Sequence, residues 1–315
     1  MARPMVGDCY AVISSNAMRY FAEVVRSGSF RSAAENLCVA PSAISRQISL
    51  IEEDLGAPVL DRGRGRGLLK LTAAGEILIQ FVKAQDSEME RVRSDIEALK
   101  GLQRGHVRFG IPETLARDFI PDFLVGFNQR FPRITFEVQV HGTPRLVQLV
   151  ASHELDAALT FNPPLQRDVT HVYERSLPTR LLVAAGHPLF DRESVRLSDC
   201  ADYLLALPDS SISAKRFYDD MFVAAKIRPR SVLVTNSYEM MRSVAMRGLA
   251  ISLVNEPLGA TGDIPASYRY IHIKDARVKP QRLTLCLREG RTQSTVTLAF
   301  VEYLVQTLKE QAKTK

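Results

Sequence analysis

Apolar residues recur at helical spacing through roughly the first third of the chain and at strand spacing through much of the remainder, so the pattern predicts two parts of different architecture. From Met18 to Arg26, Tyr20, Phe21, Val24 and Val25 mark a helix that Ser27-Gly28 ends. Ser29 to Gly56 then reads as two short helices around a tight turn at Cys38-Val39-Ala40. Phe30, Ala33, Ala34 and Leu37 form an apolar face on the first, and Ile44, Ile48, Ile51 and Leu55 form one on the second. Each face is the other's nearest partner. Pro41 stands at the first position of the second helix, where its missing N–H costs nothing, and Gly56 with Pro58 ends that helix.

Two short strands around the tip Gly63-Arg64-Gly65-Arg66-Gly67 are expected next, as a β-wing. Thr72 and Glu76 then open a long helix running to about Leu99. Its apolar seam of Ile77, Phe81, Ala84, Met89, Val92, Ile96 and Leu99 has nothing local to pack on, so it predicts pairing with a second copy; a rigid spacer is the alternative. Lys100 to Gly105 breaks the pattern.

Beyond that break strands alternate with helices. Strands are expected at Val107 to Ile111, Ile134 to Val140 and Leu155 to Thr160, with helices from Thr114 to Phe131 and Pro144 to Ser152 between them. A second set comes next, with strands near Val169 to Ser176, Arg180 to Ala185, Leu204 to Leu207, Val232 to Thr235 and Ala250 to Val254. Helices from Lys215 to Lys226 and Tyr238 to Arg247 are interleaved with them. Strands at Tyr268 to Ile273 and Arg282 to Arg288 and a helix from Thr292 to Lys309 close the chain. Such alternation implies parallel sheet flanked by helices, and the late return suggests two α/β lobes forming a hinged clamp.

Composition narrows the reading. A chain of 315 residues suits two or three domains. The formal charge of +6 suggests an acidic partner, yet residues 1–104 carry 14 basic and 13 acidic side chains, so net charge does not single out a nucleic-acid-binding part. Local clustering at Arg62, Arg64, Arg66 and Lys70 does. Cys9, Cys38, Cys200 and Cys286 lie far apart, without metal-ligand spacing or a disulfide framework, and fit a reducing cytoplasm. Residues 1–17 read as a flexible extension rather than a signal peptide, and no run reaches transmembrane length.

The opposite stripe of the Pro41 helix carries the first candidate chemistry. Ser42, Ser45, Arg46 and Ser49 present short hydrogen-bonding groups and one guanidinium, a face that could lie in a DNA major groove or simply be solvated. Ser29 caps the preceding helix, with Arg31 in its first turn beside N–H groups that could meet a phosphate. A surface arginine at a helix start is the plainer reading. The sequence lacks GxSxG, HExxH and SxxK signatures, and its six histidines form no local cluster, so an enzyme using the inter-lobe cleft is a rival with little support.

In this order and spacing, SGSFRSAAENL, VAPSAISRQIS, IEEDLGAPVLDR and LTAAG resemble the DNA-binding half of LysR-type transcriptional regulators. The remaining layout, with GLAISLVNE after a helix, is similar to that family's sensor half. The resemblance implies an α/β protein with an N-terminal winged helix-turn-helix built of α-helices (18–75), a long linker helix for dimerisation (76–104), and a two-lobed, periplasmic-binding-protein-like effector domain (105–315). Lobe I would comprise about 105–164 and 266–315, and lobe II about 165–265. Residues matching Ser42, Ser45, Arg46 and Gln47 would face DNA. Ser29, Arg31, Pro41 and Ser49 join that surface, with Arg62, Arg64 and Arg66 on the backbone or in the minor groove. Ala40-Pro41-Ser42 stands where many members have Ser-Gln-Pro, which removes one side chain able to read bases.

The implied effector site lies between the lobes, at strand C-termini and helix N-termini. Those positions are Pro112, Glu113, Thr114, Gly142, Thr143, Phe161 and Asn162 in one lobe and Ser210, Ser211, Asn236 and Ser237 in the other. Their hydroxyl and N–H groups would suit a carboxylate or similar anion, although each could equally be a helix cap. The implied partners are double-stranded DNA, a small-molecule effector, RNA polymerase and further copies of the chain in a homodimer or homotetramer. No cofactor, metal or membrane is expected. Some family members sense peroxide through cysteine, which makes Cys200, in a helical turn, the alternative sensor.

Overall fold

Two compact units, Met1–Glu90 and Arg91–Lys315, make up the computed structural model. It describes residues 13–61, 69–98, 104–212, 214–258, 266–275, 278–290 and 292–313.

In the first unit, α1 (Ser15–Ser27) begins where the Ser14 hydroxyl accepts from Ala17 N–H at 3.2 Å. The helix therefore starts earlier than its apolar pattern indicates, and Ala17, expected in a flexible extension, is buried. α2 (Phe30–Leu37) starts at Ser29, whose Oγ accepts from Ser32 N–H at 3.0 Å, and ends at Cys38 in the left-handed region. α3 (Pro41–Leu55) has Pro41 in its first turn. Ile44, Ile48 and Ile51 are fully enclosed with Phe21, Val24, Ala33 and Ala34, each isoleucine contributing about 1.5–3 kcal/mol of burial. Leu55, expected on the same face, is the last residue of α3 and is 44% exposed.

β1 (Leu60–Asp61) pairs antiparallel with β2 (Lys70–Leu71), forming the base of the predicted wing. Its tip, with Arg62, Arg64 and Arg66, lies outside the described residues. Glu52 of α3 holds this base in place, its Oε1 accepting from Val59 N–H at 3.0 Å. α4 (Ala73–Ala98) comes next, burying Leu78, Ile79 and Val82 in the same core while Ile77, Phe81, Met89, Val92 and Ile96 remain exposed.

In the second unit the first sheet has the order β4-β3-β5-β13-β6. Its strands are β3 (Gly105–Ile111), β4 (Ile134–Val140), β5 (Ala157–Phe161), β6 (Val169–Leu177) and β13 (Gln281–Arg288). α5 (Glu113–Ala116), α6 (Phe119–Arg130) and α7 (Thr143–Ala151) lie between its early strands, and α10 (Thr295–Lys313) comes after β13. The helix expected over Thr114 to Phe131, with Pro121 within it or at a break, is interrupted at Arg117-Asp118, and Pro121 stands in the first turn of α6, where no N–H is required. Phe109, Phe123, Phe127 and Phe300 pack edge to face in this core, with several centroid separations of 5.1–5.3 Å.

The second sheet has the order β10-β9-β11-β7-β12-β8. It is built from β7 (Thr179–Ala184), β8 (Ser194–Val195), β9 (Leu204–Pro208), β10 (Arg230–Thr235), β11 (Ile251–Asn255) and β12 (Tyr268–Ile273), with α8 (Ala214–Ala225) and α9 (Tyr238–Met246). Both sheets are mixed rather than parallel: β13 runs antiparallel to β5 and β6, and β11 runs antiparallel to β7.

Two strands lie in the lobe opposite to that expected. β6 pairs along β13 in the first sheet, and β12 pairs along β7 in the second. The chain therefore crosses between sheets at Leu177-Pro178-Thr179 and again between Ile273 and Gln281. Strand periodicity cannot reveal this, because it records which face of a strand is buried and says nothing of which sheet buries it.

Candidate functional site

On α3 the core isoleucines fix the opposite face outward. Pro41, Ser42, Arg46 and Ser49 are exposed, while Ser45 and Gln47 are half-buried. Ser42, Ser45, Arg46 and Ser49 occupy adjacent positions of one helical face, and Arg46 pairs with no acid among the described residues. This leaves a planar five-donor group able to approach a base edge or a phosphate. Ser29 is committed to capping α2. Arg31 is held by Glu35 at 3.2 Å, a pair exposed on both sides and so weak enough for a phosphate to displace.

The second site is a cleft of about 540 Å³ within the Arg91–Lys315 unit. From the side of the first sheet come Pro112, Glu113, Val140, His141, Gly142, Thr143, Phe161 and Gln281; from that of the second come Ser211, Ile212, Asn236, Ser237 and Tyr238. Parallel pairing of β3 with β4 and of β9 with β10 brings the strand C-termini to a shared edge, which is why residues so distant in sequence converge. At the rim the two sides nearly touch, and a Cβ added to Gly142 would lie 3.6 Å from the Ser211 carbonyl oxygen.

Eight of the eleven expected cleft residues line this space, and three do not. Thr114 faces a smaller, neighbouring cavity with Arg117, Arg242 and Asn255. Asn162 turns toward β13, where its Oδ1 accepts from Arg282 N–H at 2.8 Å. Ser210 is exposed beside the cleft rather than in its lining.

Among those that do line it, several hydroxyls already bond within the protein. Thr143 is 3% exposed, and its Oγ1 lies 2.7 Å from Thr160 Oγ1 and donates to the Phe161 carbonyl at 3.0 Å. Ser211 donates to Asp209 Oδ1 at 2.6 Å, a contact that lowers the Asp209 pKa. Across the cleft, Ser237 Oγ donates to Glu113 Oε1 at 2.8 Å, and Tyr238 N–H donates to Glu113 Oε2 at 2.6 Å. The carboxylate of α5 therefore sits on the N-terminus of α9.

Beneath this contact Tyr238 and Tyr218 place their phenols together, and burial pushes both pKa values well up. The Tyr218 hydroxyl donates to the Leu253 carbonyl at 3.0 Å. Gln281 approaches the Tyr218 oxygen from the cleft side; it is 2% exposed, and its amide nitrogen has no partner of ordinary hydrogen-bond geometry. Tyr238 and Gln281 were not expected in the site. Tyr238 stands directly after a predicted cap and was legible by adjacency, whereas Gln281 comes from β13, whose position in the middle of the first sheet no local pattern reveals.

Cys200 stands apart. It is buried in a 3-10 turn, its Sγ lies 3.8 Å from the Arg196 carbonyl, and burial, with a smaller effect of the nearby Asp199 charge, pushes its pKa to about 12. A protonated, enclosed thiol is poorly suited to sensing peroxide.

Known proteins match both parts of the chain. Residues 15–76 match "Bacterial regulatory helix-turn-helix protein, lysR family", and residues 100–309 match "LysR substrate binding domain". The HTH-type transcriptional regulator YybE of Bacillus subtilis (strain 168), described as uncharacterized, is 26% identical over 293 residues, covering 93% of this chain and 98% of that one. A full-length OxyR variant from Pseudomonas aeruginosa superposes with a TM-score of 0.70 at 20% identity, covering 94% of each chain. Full-length CbnR in complex with its target DNA gives 0.63 at 22% identity, covering 93% of this chain and 99% of that one. With a helix-turn-helix whose outer face is polar and a two-sheet domain enclosing a cleft, the chain belongs to the LysR family, as a DNA-binding transcriptional regulator with an effector-binding domain.

Proposed function

We propose that α3 reads DNA through Arg46, positioned by Ser42 and Ser45, and that the ligand controlling this regulator binds in the cleft bounded by Glu113, Thr143, Ser211 and Ser237. The observation that carries the first part is the exposed Arg46, paired with no acid among the described residues, on the polar face of a helix whose other face is locked by three buried isoleucines. A bidentate guanidinium contact to a guanine contributes about 1–3 kcal/mol of discrimination. Gln47 and Ser49 flank it, while Arg31 and the wing arginines supply phosphate contacts that hold the register without reading sequence.

The working organisation is a winged helix-turn-helix over 18–75, a linker helix over 76–104 and an effector domain over 105–315. Copies associate through the exposed apolar residues of α4 as a homodimer or homotetramer in the cytoplasm. Ligand binding changes the angle between paired DNA-binding units and so the access of RNA polymerase. The cleft works by binding, without catalysis. Its hydroxyl-lined walls led to the expectation of a carboxylate effector; since Glu113 holds the N-terminus of α9, such an acid would have to sit at the start of α7, by Gly142 and Thr143.

The test is titration of the full-length protein against its own upstream DNA and against random duplex of equal length. Arg46→Ala is expected to lose preference for the upstream site by about 1–3 kcal/mol while retaining salt-sensitive binding to random DNA. Equal loss on both duplexes would remove Arg46 from the role of base reader. No widening or narrowing of that preference with any small molecule that binds the cleft would remove the cleft from the role of switch.

A further inference from the structure

From the carboxylate clasp across the cleft we infer that Glu113 is a built-in occupant of the anion seat, and that the ligand of this cleft presents hydrogen-bond donors to Glu113 rather than a carboxylate to α9. This deepens, and rests on, the reading of the cleft as the effector site.

The start of α9 has the features of an anion site: backbone N–H groups with no carbonyl partner inside the helix, at the positive end of a nine-residue helix, and a serine hydroxyl at its cap. It is filled by the chain itself. Both Glu113 oxygens are engaged, one by Ser237 Oγ and one by Tyr238 N–H, in the bidentate geometry that a bound acid would adopt. Ser237 Oγ in turn accepts from Met240 N–H at 3.1 Å, so its single proton is directed to Glu113.

The rest of the lining agrees. Among the described residues lining the cleft there is no lysine or arginine. Arg117 and Arg242 line the neighbouring cavity that shares Glu113, but they pair with Asp118 and Glu239, so a second carboxylate in the cleft would meet the Glu113 charge with no uncommitted arginine beside it. Each Glu113 oxygen keeps acceptor capacity beyond the one bond it makes here, because a carboxylate accepts at about four lone-pair positions. With the Gln281 amide and the Asn236 side chain close by, the cleft offers one negative group and several neutral polar ones. That chemistry suits an ammonium, amide or hydroxyl group. The acceptor joins α5 to α9, so a ligand that bonds to Glu113 bears directly on the contact between the two sides of the cleft.

The experiment uses the full-length protein and three probes of one shape, benzylamine, benzamide and benzoate, with acetate as a minimal acid. Thermal unfolding of the wild type is expected to show no saturable response to acetate, and calorimetry is expected to rank benzoate about tenfold or more below the other two. Glu113→Ala empties the seat, so its melting temperature falls and acetate restores it saturably, while chloride at equal ionic strength does not. In Glu113→Ala with Ser237→Ala the rescue is lost. Glu113→Gln, of the same size, keeps the fold and reverses the order of benzoate and benzylamine. Saturable stabilisation of the wild type by acetate equal to that of Glu113→Ala, or absence of rescue in a folded Glu113→Ala, overturns the inference. Rescue by acetate with DNA affinity unchanged by Glu113→Ala and by all three probes upholds the occupied seat and instead removes the cleft from the role of effector site.

Discussion

Gly75 lies so close under the Val59 carbonyl that a Cβ there would overlap its oxygen and stand 3.0 Å from its carbon and 2.9 Å from Leu71 Cδ2. The first turn of α4 is thus pressed against the base of the wing. Thr72 Oγ1 completes the joint by donating to the Pro58 carbonyl at 2.6 Å and accepting from Gly75 N–H at 3.0 Å. Because the Val59 atoms it would meet are backbone, they cannot rotate away. Gly75→Ala is expected to cost about 2 kcal/mol or more in urea unfolding, as overpacking does. Gly28→Ala is the control: its Cβ would meet open space, and only the left-handed φ of +72° is strained, for about 1 kcal/mol. A larger loss at Gly28 than at Gly75 would contradict the close approach.

This joint shows what the sequence made legible. Thr72 and Glu76 predicted a helix start, and the isoleucines of α3 predicted a buried face, because both are local signals carried by the element itself. What packs on what was less accessible. The pairing of β6 and β12 with the unexpected sheets, the Gln281 side chain in the cleft and the clasp of Glu113 on Ser237 all depend on contacts between segments tens to more than a hundred residues apart. Hydroxyls at helix starts do stand along the cleft, yet Thr143 turns inward to Thr160, since a threonine beside a strand end finds a buried partner as readily as a ligand.

Asp156 ties the start of β5 to β3. Its Oδ2 accepts from Arg108 N–H and its Oδ1 from the Arg108 guanidinium, both at 2.9 Å, and its own N–H donates to the Arg108 carbonyl. Asp156 is 7% exposed, and removing its carboxylate takes one acceptor from the Arg108 guanidinium and one from the Arg108 backbone N–H. Asp156→Ala is expected to destabilise the second unit by about 3 kcal/mol or more, and Asp156→Asn by less, since the amide oxygen still accepts one bond. Chemical denaturation should rank the two variants in that order; equal and small losses would show that the pair contributes little.

Ile77 is 75% exposed, Phe81 50%, Met89 53%, Val92 38% and Ile96 52% along α4, more apolar surface than one helix ordinarily leaves to water. If these residues join copies of the chain, Phe81→Glu with Met89→Glu puts charges into the seam without touching Leu78, Ile79 and Val82 of the core. Sedimentation velocity should then show the wild type as an oligomer and the double variant shifted to monomer, with circular dichroism unchanged. Retention of the oligomer in the double variant would place the association on another surface.

Cys200 and Cys286 are both buried, and burial pushes each thiol from an ordinary value near 9.0 to about 12, with the charges of Asp199 and Glu174 adding to the effect. A folded-state pKa above the unfolded one favours the fold while the thiol is protonated. That contribution is complete below pH 9 and is lost as the pH rises from about 9 toward 12, because the unfolded chain ionises first. Replacing both with alanine should therefore flatten the alkaline fall in unfolding midpoint, even if the variant starts lower through lost packing. Labelling gives the independent check. In a Cys9→Ser background, iodoacetamide at pH 8 should modify exposed Cys38 rapidly and leave Cys200 and Cys286 untouched until denaturant is added, as read by peptide mass spectrometry. Native labelling of Cys200 at the rate of Cys38 would mean that the 3-10 turn opens readily, and would restore Cys200 as a candidate redox sensor.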